Sequence, residues 1–258
     1  MFKNFTFITV FIFLFLCLSC STKNEETPQN FLLKRLSEKT TGIDFKNTLN
    51  EDVKHSIINY IYFYNGGGVS AGDINNDGLS DLYFVSNQGE NKLFLNKGNL
   101  KFEDISQKAN INSSADWNTG VTMVDINNDG FLDIYVCAVS GLLDFTGRNE
   151  LFINNGDNSF TERAKEYGLD FSGFSTQAYF FDFDKDNDLD VYIVNHATHT
   201  VTSHGKASLR NKRVPFIGDV LLKNNNGKFT DVSQEANIFG GANGYGLSAS
   251  IADFNNDG

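Results

Sequence analysis

Residues 73–81 read Asp73-Ile74-Asn75-Asn76-Asp77-Gly78-Leu79-Ser80-Asp81, and this stretch recurs along the chain. Further copies occupy residues 125–133 and 182–190, and a fourth begins at Asp253. Each complete copy has a short oxygen-bearing side chain at positions 1, 3, 5 and 9, which suits a hard cation such as Ca²⁺, with a backbone carbonyl at position 7. The predicted metal ligands are Asp73, Asn75, Asp77, Leu79 (carbonyl) and Asp81; Asp125, Asn127, Asp129, Phe131 (carbonyl) and Asp133; Asp182, Asp184, Asp186, Asp188 and Asp190; and Asp253, Asn255 and Asp257.

The runs that flank each loop are predicted to be β-strands. An apolar or small run precedes the loop, and a β-branched and aromatic run such as Leu82-Tyr83-Phe84-Val85 follows it. An EF-hand would need flanking helices and a Glu at loop position 12, where this chain has Phe84, Val136 and Ile193. An EF-hand is therefore excluded, and each loop is expected to lie within a β-hairpin.

A second hairpin follows each complete loop, with a turn that begins at Asn96, Asn154 or Asn224. From the turn Asn to the next loop the distance is 29, 28 and 29 residues, whereas from the loop to the turn Asn it grows from 23 to 29 and 42. The insertions therefore fall between the second and third strands of a four-stranded unit. Repeated four-stranded sheets predict an all-β β-propeller. A parallel β-helix would use much shorter repeats, and a β-sandwich would not need the copies to agree.

A polar segment that ends in a hydrophobic residue follows each unit, at residues 106–111, 164–169 and 233–238. Residues 34–43 look like the same segment once more. We therefore expect the first unit to be preceded by the tail of a preceding or closing unit.

The stretch from Asn65-Gly66-Gly67-Gly68 through Asp81 and Val85, with its counterparts around Asp125 and Asp182, resembles the FG-GAP or VCBS-type repeat. The resemblance covers most of residues 60–258. That family includes the propeller of integrin α-chains and acidic secreted proteins related to cartilage acidic protein. The resemblance implies a calcium-bearing propeller, usually of seven blades, that serves adhesion or extracellular binding. This chain departs from the usual pattern at Asn187, where Gly is common, but Asn tolerates the left-handed conformation.

Three complete blades and the start of a fourth cannot close a ring. We therefore expect the 258 residues to be the N-terminal part of a longer protein.

The formal net charge of -11 is concentrated in the loops, which hold 13 of the 32 acidic residues. Bound divalent ions would neutralise much of that charge. An acidic balance also argues against nucleic acid as a partner, because nucleic-acid binding depends on clustered Lys and Arg.

The N-terminus is predicted to be a targeting segment. Lys3 precedes a short apolar run that ends in Cys17-Leu18-Ser19-Cys20, after which the chain turns polar. This pattern resembles a bacterial lipoprotein signal with Cys20 as the lipidated residue, followed by acidic residues typical of surface export. It predicts a signal peptide over 1–20, a tether over 21–30 and the repeat domain over 31–258. An outer-membrane lipoprotein, anchored only through its lipid, is the predicted location. An ordinary cleaved signal and a secreted protein are the alternative.

Without Cys17 and Cys20 the mature chain keeps a single thiol, Cys137, which lies in an apolar run. One thiol forms no internal disulfide, so we expect Cys137 to be a buried core residue. Bound calcium would then be what stabilises an exported protein of this kind.

Aromatic residues stand eight positions before three of the loops, namely Trp117, Phe174 and Tyr245. Eight residues of strand cover roughly 26 Å, so these rings should lie at the sheet end opposite the cations. They could stack on a glycan or a protein ligand. The alternative is that they pack and close the ends of the blades.

The longest insertion, residues 195–219, contains His196, His199 and His204 beside Lys206, Arg210, Lys212 and Arg213. A zinc site is one interpretation of the histidines. A loop that binds a partner is the interpretation that we favour.

The sequence has no GxSxG, HExxH, P-loop or Cys-His pairing, and its Asp pairs belong to the cation loops. We therefore predict a binding module for adhesion or for an extracellular glycan or protein ligand, not an enzyme. The alternative is that the propeller is part of a polysaccharide-degrading lyase or hydrolase.

Overall fold

Three four-stranded antiparallel sheets make up most of the chain in a computed structural model that describes residues 33–197, 212–242 and 244–255. The strands of the first sheet are β1 (Val69–Gly72), β2 (Asp81–Phe84), β3 (Lys92–Asn96) and β4 (Phe102–Asp104). Those of the second are β5 (Asn118–Val124), β6 (Asp133–Ala138), β7 (Glu150–Asn154) and β8 (Phe160–Glu162). Those of the third are β9 (Ser175–Phe181), β10 (Asp190–Asn195), β11 (Val220–Asn224) and β12 (Phe229–Asp231).

Within each sheet the strands follow one another in sequence order, so every connection is a hairpin. The first strands of the three sheets are neighbours, because β5 contacts both β1 and β9. This serial arrangement is the propeller-like fold that the repeats predict. The number of blades in a complete ring stays a prediction.

The connection between the second and third strands lengthens along the chain, as the spacing predicts. It comprises residues 85–91, 139–149 and 196–219 in the three sheets.

The core lies between adjacent sheets, because both faces of the inner strands are buried. In β6, Ile134 and Val136 pack in the cluster shared with the first sheet, whereas Tyr135 and Cys137 pack in the cluster shared with the third. Alternate side chains of a strand point to opposite faces, which explains this division. Full burial of one such side chain is worth about 1.5–3 kcal/mol. Cys137 is buried and free, as expected from its apolar run.

Short helical turns follow the fourth strands and pack on the next sheet. They are α2 (Ser106–Ala109) and α3 (Ala164–Tyr167), and a further one, α1 (Glu38–Thr41), precedes the first sheet. Gly42 and Gly168 end α1 and α3 with φ of 82° and 78°. A Cβ added to Gly42 would lie 2.4 Å from the Phe102 carbonyl oxygen, and a Cβ added to Gly168 would lie 2.7 Å from the Phe229 carbonyl oxygen. Residues 38–42 thus pack on β4 as α3 packs on β12, which supports the predicted tail of a preceding unit.

Residues 37–258 belong to one compact unit, and residues 1–36 to another, most of which lies outside the described residues. Within the described part of the chain, no helix is both long enough and apolar enough to cross a membrane.

Candidate cation-binding loops

The carboxylate at loop position 1 closes each loop by accepting backbone hydrogen bonds. In the first loop, Asp73 accepts from the N–H groups of Asp77 at 3.1 Å and of Gly78 at 2.7 Å. The second loop repeats these bonds at Asp125, with Asp129 at 3.1 Å and Gly130 at 2.9 Å. The third repeats them at Asp182, with Asp186 at 3.2 Å and Asn187 at 2.9 Å. The side chain at position 1 is therefore held in place before any cation binds.

Positions 4 and 6 of the three complete loops have a left-handed backbone, which turns the chain sharply enough to bring the oxygens together. Position 4 is Asn76, Asn128 or Lys185, with φ of 60°, 58° and 65°. Position 6 is Gly78, Gly130 or Asn187, with φ of 84°, 89° and 70°. The prediction that Asn187 adopts this conformation is confirmed. Lys185 is the exception among these residues, since only Gly and Asn or Asp adopt it readily.

The carboxylate at position 9 is fully buried in all three loops, with 0% exposure of Asp81, Asp133 and Asp190. Asp133 accepts from the N–H of Ile126 at 3.1 Å and from the N–H of Asn154 at 2.8 Å. Burial raises the pKa of Asp133 to about 6, and the nearby carboxylates of Asp129 and Asp125 add to this effect. A cation at the loop would oppose that shift, because it favours the charged form.

The third loop brings three carboxylates closest together. Ligand oxygens of Asp182, Asp184 and Asp190 all lie within 4.8 Å of one another. Asp188 at position 7 has a buried Oδ1 that has no hydrogen-bond partner among the described residues. Hard oxygen donors, with one buried oxygen unpartnered, fit a cation such as Ca²⁺.

The first two loops have Asn at position 3, and its side chain is directed toward position 5. The Asn75 Oδ1 accepts from the Asp77 N–H at 3.2 Å, and the Asn127 Oδ1 accepts from the Asp129 N–H at 3.1 Å. The residues at position 7, Leu79 and Phe131, donate their N–H groups to the position 5 carboxylates, both at 2.9 Å. Their carbonyls as cation ligands stay a prediction.

The fourth loop is described only at its start. The Asn255 N–H donates to the Asp253 Oδ1 at 3.3 Å, and both residues are exposed. Asp257 lies outside the described residues, so this site stays a prediction.

The turn asparagines form hydrogen bonds to the cation loops, although the sequence pattern indicated only that they lie in turns. Besides the backbone bond to position 9, Asn96 Nδ2 donates to the Ser80 carbonyl at 2.8 Å. Asn154 Nδ2 donates to the Leu132 carbonyl at 3.1 Å and to the Ile74 carbonyl of the first loop at 2.8 Å. The nearly constant spacing from each turn Asn to the next loop was the signal that could have identified them.

Comparison with known proteins agrees with this geometry. The FG-GAP-like repeat family matches residues 73–136 and 138–193. These segments run from the first loop through β6 and on through the third loop into β10. The chain thus contains FG-GAP-like repeats over these residues.

Three curated relatives of this chain have the same printed name, cartilage acidic protein 1. The protein from Xenopus tropicalis is 29% identical over 201 residues, which is 76% of this chain and 28% of the relative. The Mus musculus protein is 31% identical over 51% of this chain and 20% of the relative. The Homo sapiens protein is 38% identical over 28% of this chain and 11% of the relative. The chain therefore spans about a quarter or less of the relatives' length. The repeats suggest a propeller binding module.

FG-GAP repeats often bind calcium, and the acidic cluster of the third loop agrees with that property.

Two of the three aromatic residues that precede the FG-GAP loops are buried, which corrects their prediction as a stacking surface. Trp117 is 1% exposed, with its ring 4.9 Å from Phe145, and Phe174 is 9% exposed. Their packing favours the alternative interpretation, in which these rings close the ends of the blades. Tyr245 differs, with 47% exposure.

A cavity of 340 Å³ lies at this end of the first strands of the repeats. Its lining includes Tyr60, Asn65, Trp117 and Gln177, together with the backbone of residues 66–68. Stacking and amide groups therefore meet there, even though Trp117 itself is largely covered.

The insertion of the third repeat is described only at its two ends. His196 is buried among aromatic rings, 4.1 Å from the Tyr62 centroid, and burial lowers its pKa to about 4. Arg213 donates to the carbonyls of Asp219 at 2.8 Å and Ile238 at 3.3 Å. His199, His204, Lys206 and Arg210 lie outside the described residues, as do Cys20 and the predicted signal and tether.

Proposed function

We propose that this FG-GAP repeat protein is a calcium-stabilised propeller module that binds an extracellular ligand or serves adhesion at the cell surface. The observation on which the proposal rests is the repetition of one loop geometry in three sheets. In each loop the position 1 carboxylate is held by two backbone N–H groups and the position 9 carboxylate is buried.

Calcium is proposed because each loop concentrates negative charge that the described protein groups only partly balance. The residues that would hold the ion are those at positions 1, 3, 5, 7 and 9 of each loop. When bound, the ion supplies positive charge at the joint between the first and second strands of a blade. Extracellular modules of this type bind with dissociation constants of about 10⁻⁴–10⁻³ M, which suits a structural role.

The ligand is proposed to be a glycan or a protein. Support comes from the cavity of 340 Å³ at the end of the first strands, where Asn65 and Gln177 supply polar groups beside Tyr60. Ligand pockets combine apolar walls with a few polar groups in this way. The half-exposed ring of Tyr245 supports a contact surface nearby. The acidic composition, with a net charge of -11, supports neither nucleic acid nor an anionic surface as partner.

Outer-membrane display through a lipid on Cys20 is proposed from the N-terminal sequence alone. Growth of the producing cells with a clickable palmitate analogue should label the wild-type protein and not the Cys20→Ser variant. Labelling of both proteins would place the lipid on another residue, whereas labelling of neither would contradict lipidation and favour the secreted alternative.

Thermal unfolding in chelator and in about 10 mM Ca²⁺ tests the calcium proposal. At that concentration each site should add about 1.4–2.7 kcal/mol, because binding to the folded state shifts the equilibrium by RT ln(1 + [L]/Kd). A gain of this size raises the Tm by about 3 °C or more per site in a domain of this length. Equal Tm values in chelator and in Ca²⁺ would refute the proposal.

A matched pair of variants assigns the effect to the loops. The variant Asp77→Asn/Asp129→Asn/Asp186→Asn changes position 5 of each loop and should lose most of the Ca²⁺-dependent rise in Tm. The control changes three acidic residues that are not loop residues, Asp116→Asn/Asp157→Asn/Asp170→Asn, and should keep it. Each variant is compared with its own value in chelator, which removes effects on the metal-free fold.

Binding of the ligand is tested with the wild-type chain on arrays of glycans and extracellular matrix proteins, in Ca²⁺ and in chelator. The proposal expects at least one ligand whose binding is reduced by Tyr245→Ala without a loss of thermal stability. Absence of binding to every arrayed ligand would contradict the recognition role of this chain and leave the calcium result to stand separately.

A further inference from the structure

One lysine in the third repeat stands at a position that is apolar and buried in the first two repeats. Lys223 lies in β11 directly before the turn Asn224, where β3 has Leu95 and β7 has Ile153. The register shows the equivalence, because each of the three pairs with the middle residue of the fourth strand. Leu95 and Ile153 are buried in the cores between sheets.

The Lys223 ammonium group reaches back to the cation loop of its own blade. It donates a hydrogen bond to the Asp184 carboxylate and lies 3.3 Å from Asp186 Oδ2. Those two carboxylates occupy positions 3 and 5 of the loop, so the lysine joins two of the proposed calcium ligands. Its side chain is only 29% exposed.

The first two loops join positions 3 and 5 in a different way. Asn75 Nδ2 donates to Asp77 Oδ2 at 3.1 Å, and Asn127 Nδ2 donates to Asp129 Oδ2 at 2.8 Å. Asp184 has no amide hydrogen, and an ionised carboxylate can only accept. The third loop therefore lacks the donor that connects these positions in the others, and Lys223 supplies N–H groups in the same place.

The residue at loop position 3 and the residue before the turn Asn in the third strand therefore change together between the repeats. Where position 3 is Asn, the third strand has an apolar residue at this register, and where position 3 is Asp, it has a lysine. Five carboxylates stand in the third loop, against three in each of the first two. An extra positive charge is needed most where Lys223 lies.

We propose that Lys223 is a built-in counter-ion of the third loop, which holds positions 3 and 5 together without a divalent cation. The part of the inference that concerns calcium affinity rests on the proposed function, whereas the part that concerns the metal-free loop does not. Because a fixed positive charge beside the site repels an incoming cation, Lys223 also makes the third site weaker than the same loop would be without it.

Hydrogen exchange followed by mass spectrometry tests the proposal, because it reports on each loop separately. In chelator, the amides of residues 183–190 should exchange at least tenfold faster in Lys223→Leu than in the wild type. Those of residues 74–81 and 126–133 should be unchanged. Addition of Ca²⁺ should restore protection of residues 183–190 in the variant at a concentration about tenfold lower than the wild type needs for its own gain.

Two further variants keep the test decisive. Lys223→Met retains the length of the side chain, so it removes the charge with little risk to folding and should behave as Lys223→Leu does. The double variant Asp184→Asn/Lys223→Leu reproduces the pattern of the first repeat and should recover the protection in chelator that Lys223→Leu loses. Lys97→Leu, which removes an exposed lysine 3.8 Å from Glu103, is the matched control and should change no loop.

The outcomes separate the two proposals. If Ca²⁺ protects no loop in any protein, the calcium proposal fails, and the exchange in chelator still decides the role of Lys223. If Ca²⁺ protects the loops but Lys223→Leu and Lys223→Met exchange like the wild type in chelator, the counter-ion role is overturned. Failure of the double variant to recover protection would equally overturn the compensation between positions 184 and 223.

Discussion

Of the carboxylates in each complete loop, the one at the ninth position is buried from water. Asp133 has 0% exposure and two backbone donors, and burial raises its pKa from 3.8 to about 6. A raised pKa means that the folded state without a cation binds a proton more tightly than the unfolded chain does. That contribution to stability is therefore present below pH 3.8 and lost as the pH rises through about 6. A bound cation would oppose this loss.

Asp133→Asn should lower the free energy of unfolding by about 1–3 kcal/mol even in chelator. An amide in place of the carboxylate can present only one oxygen to the N–H groups of Ile126 and Asn154, so one buried donor is left unpaired. Urea unfolding at pH 7 measures the loss. The control is Asp170→Asn, which makes the same charge change at a partly exposed side chain 3.9 Å from Arg148. Equal urea midpoints for the two variants would contradict a stabilising role for the two hydrogen bonds that the position 9 carboxylate accepts.

At the scale of elements, the turn between the third and fourth strands fixes the cation loop and, in one repeat, joins two blades. Asn154 donates to the carbonyl of Leu132 in its own loop and to that of Ile74 in the neighbouring one. Asn96 makes the equivalent bond only within its own blade, to Ser80. A comparison of variants at Asn154 and Asn96 therefore measures what the hydrogen bond between two blades contributes to stability.

Asn154→Ala should cost about 2–3 kcal/mol of stability and Asn96→Ala about 1 kcal/mol. Both variants lose the bond from the Asn side chain to the loop carbonyl and the acceptor for a turn glycine. Only Asn154→Ala also leaves the buried Ile74 carbonyl without its amide donor. Chemical denaturation of the two variants in chelator measures the difference. If both lost the same free energy, the hydrogen bond between blades would contribute nothing.

At the scale of the whole molecule, residues that precede the first sheet connect it with the other two. Tyr60 and Phe63 share a buried cluster with Trp117 and Phe145 of the second repeat and Phe174 of the third. His55 lies beside this cluster, with Nδ1 2.9 Å from Asp52 and Nε2 2.6 Å from Asp144. These contacts tie the segment to the connection between β6 and β7.

The contact of His55 should make stability depend on pH. Hydrogen bonds to Asp52 and then to Asp144 raise the pKa of His55 above 6.5. Stabilisation by the protonated ring is therefore complete below pH 6.5 and is lost as the pH rises through the raised value. The Tm should fall between about pH 6 and pH 8 by more in the wild type than in His55→Gln. Identical pH profiles for the two proteins would show that the ring adds no pH-dependent stability.

Trp117→Ala should destabilise the protein by about 3–5 kcal/mol, because it opens a cavity in the cluster shared by the repeats. Tyr245→Ala should cost much less, since that ring is 47% exposed. Urea unfolding followed by circular dichroism, which needs no Trp signal, compares the two. Similar small losses would mean that Trp117 does not close the blades and would return it to the ligand-binding prediction.

Local sequence patterns alone specify the repeat, the strands around each loop and the oxygen-bearing side chains of the loops. Those features are local, because they depend on alternating side chains, turn residues and short spacings such as those of residues 73–81. The sequence also predicted the left-handed Asn187 and the buried Cys137. Features that depend on residues distant in sequence came instead from the packing of the sheets. Trp117 is covered because three segments far apart in sequence converge on it, and Lys223 meets the third loop because β10 and β11 pair. A spacing rule along one chain does not encode which strand lies beside a loop, and that neighbour sets the burial and the charge of each site.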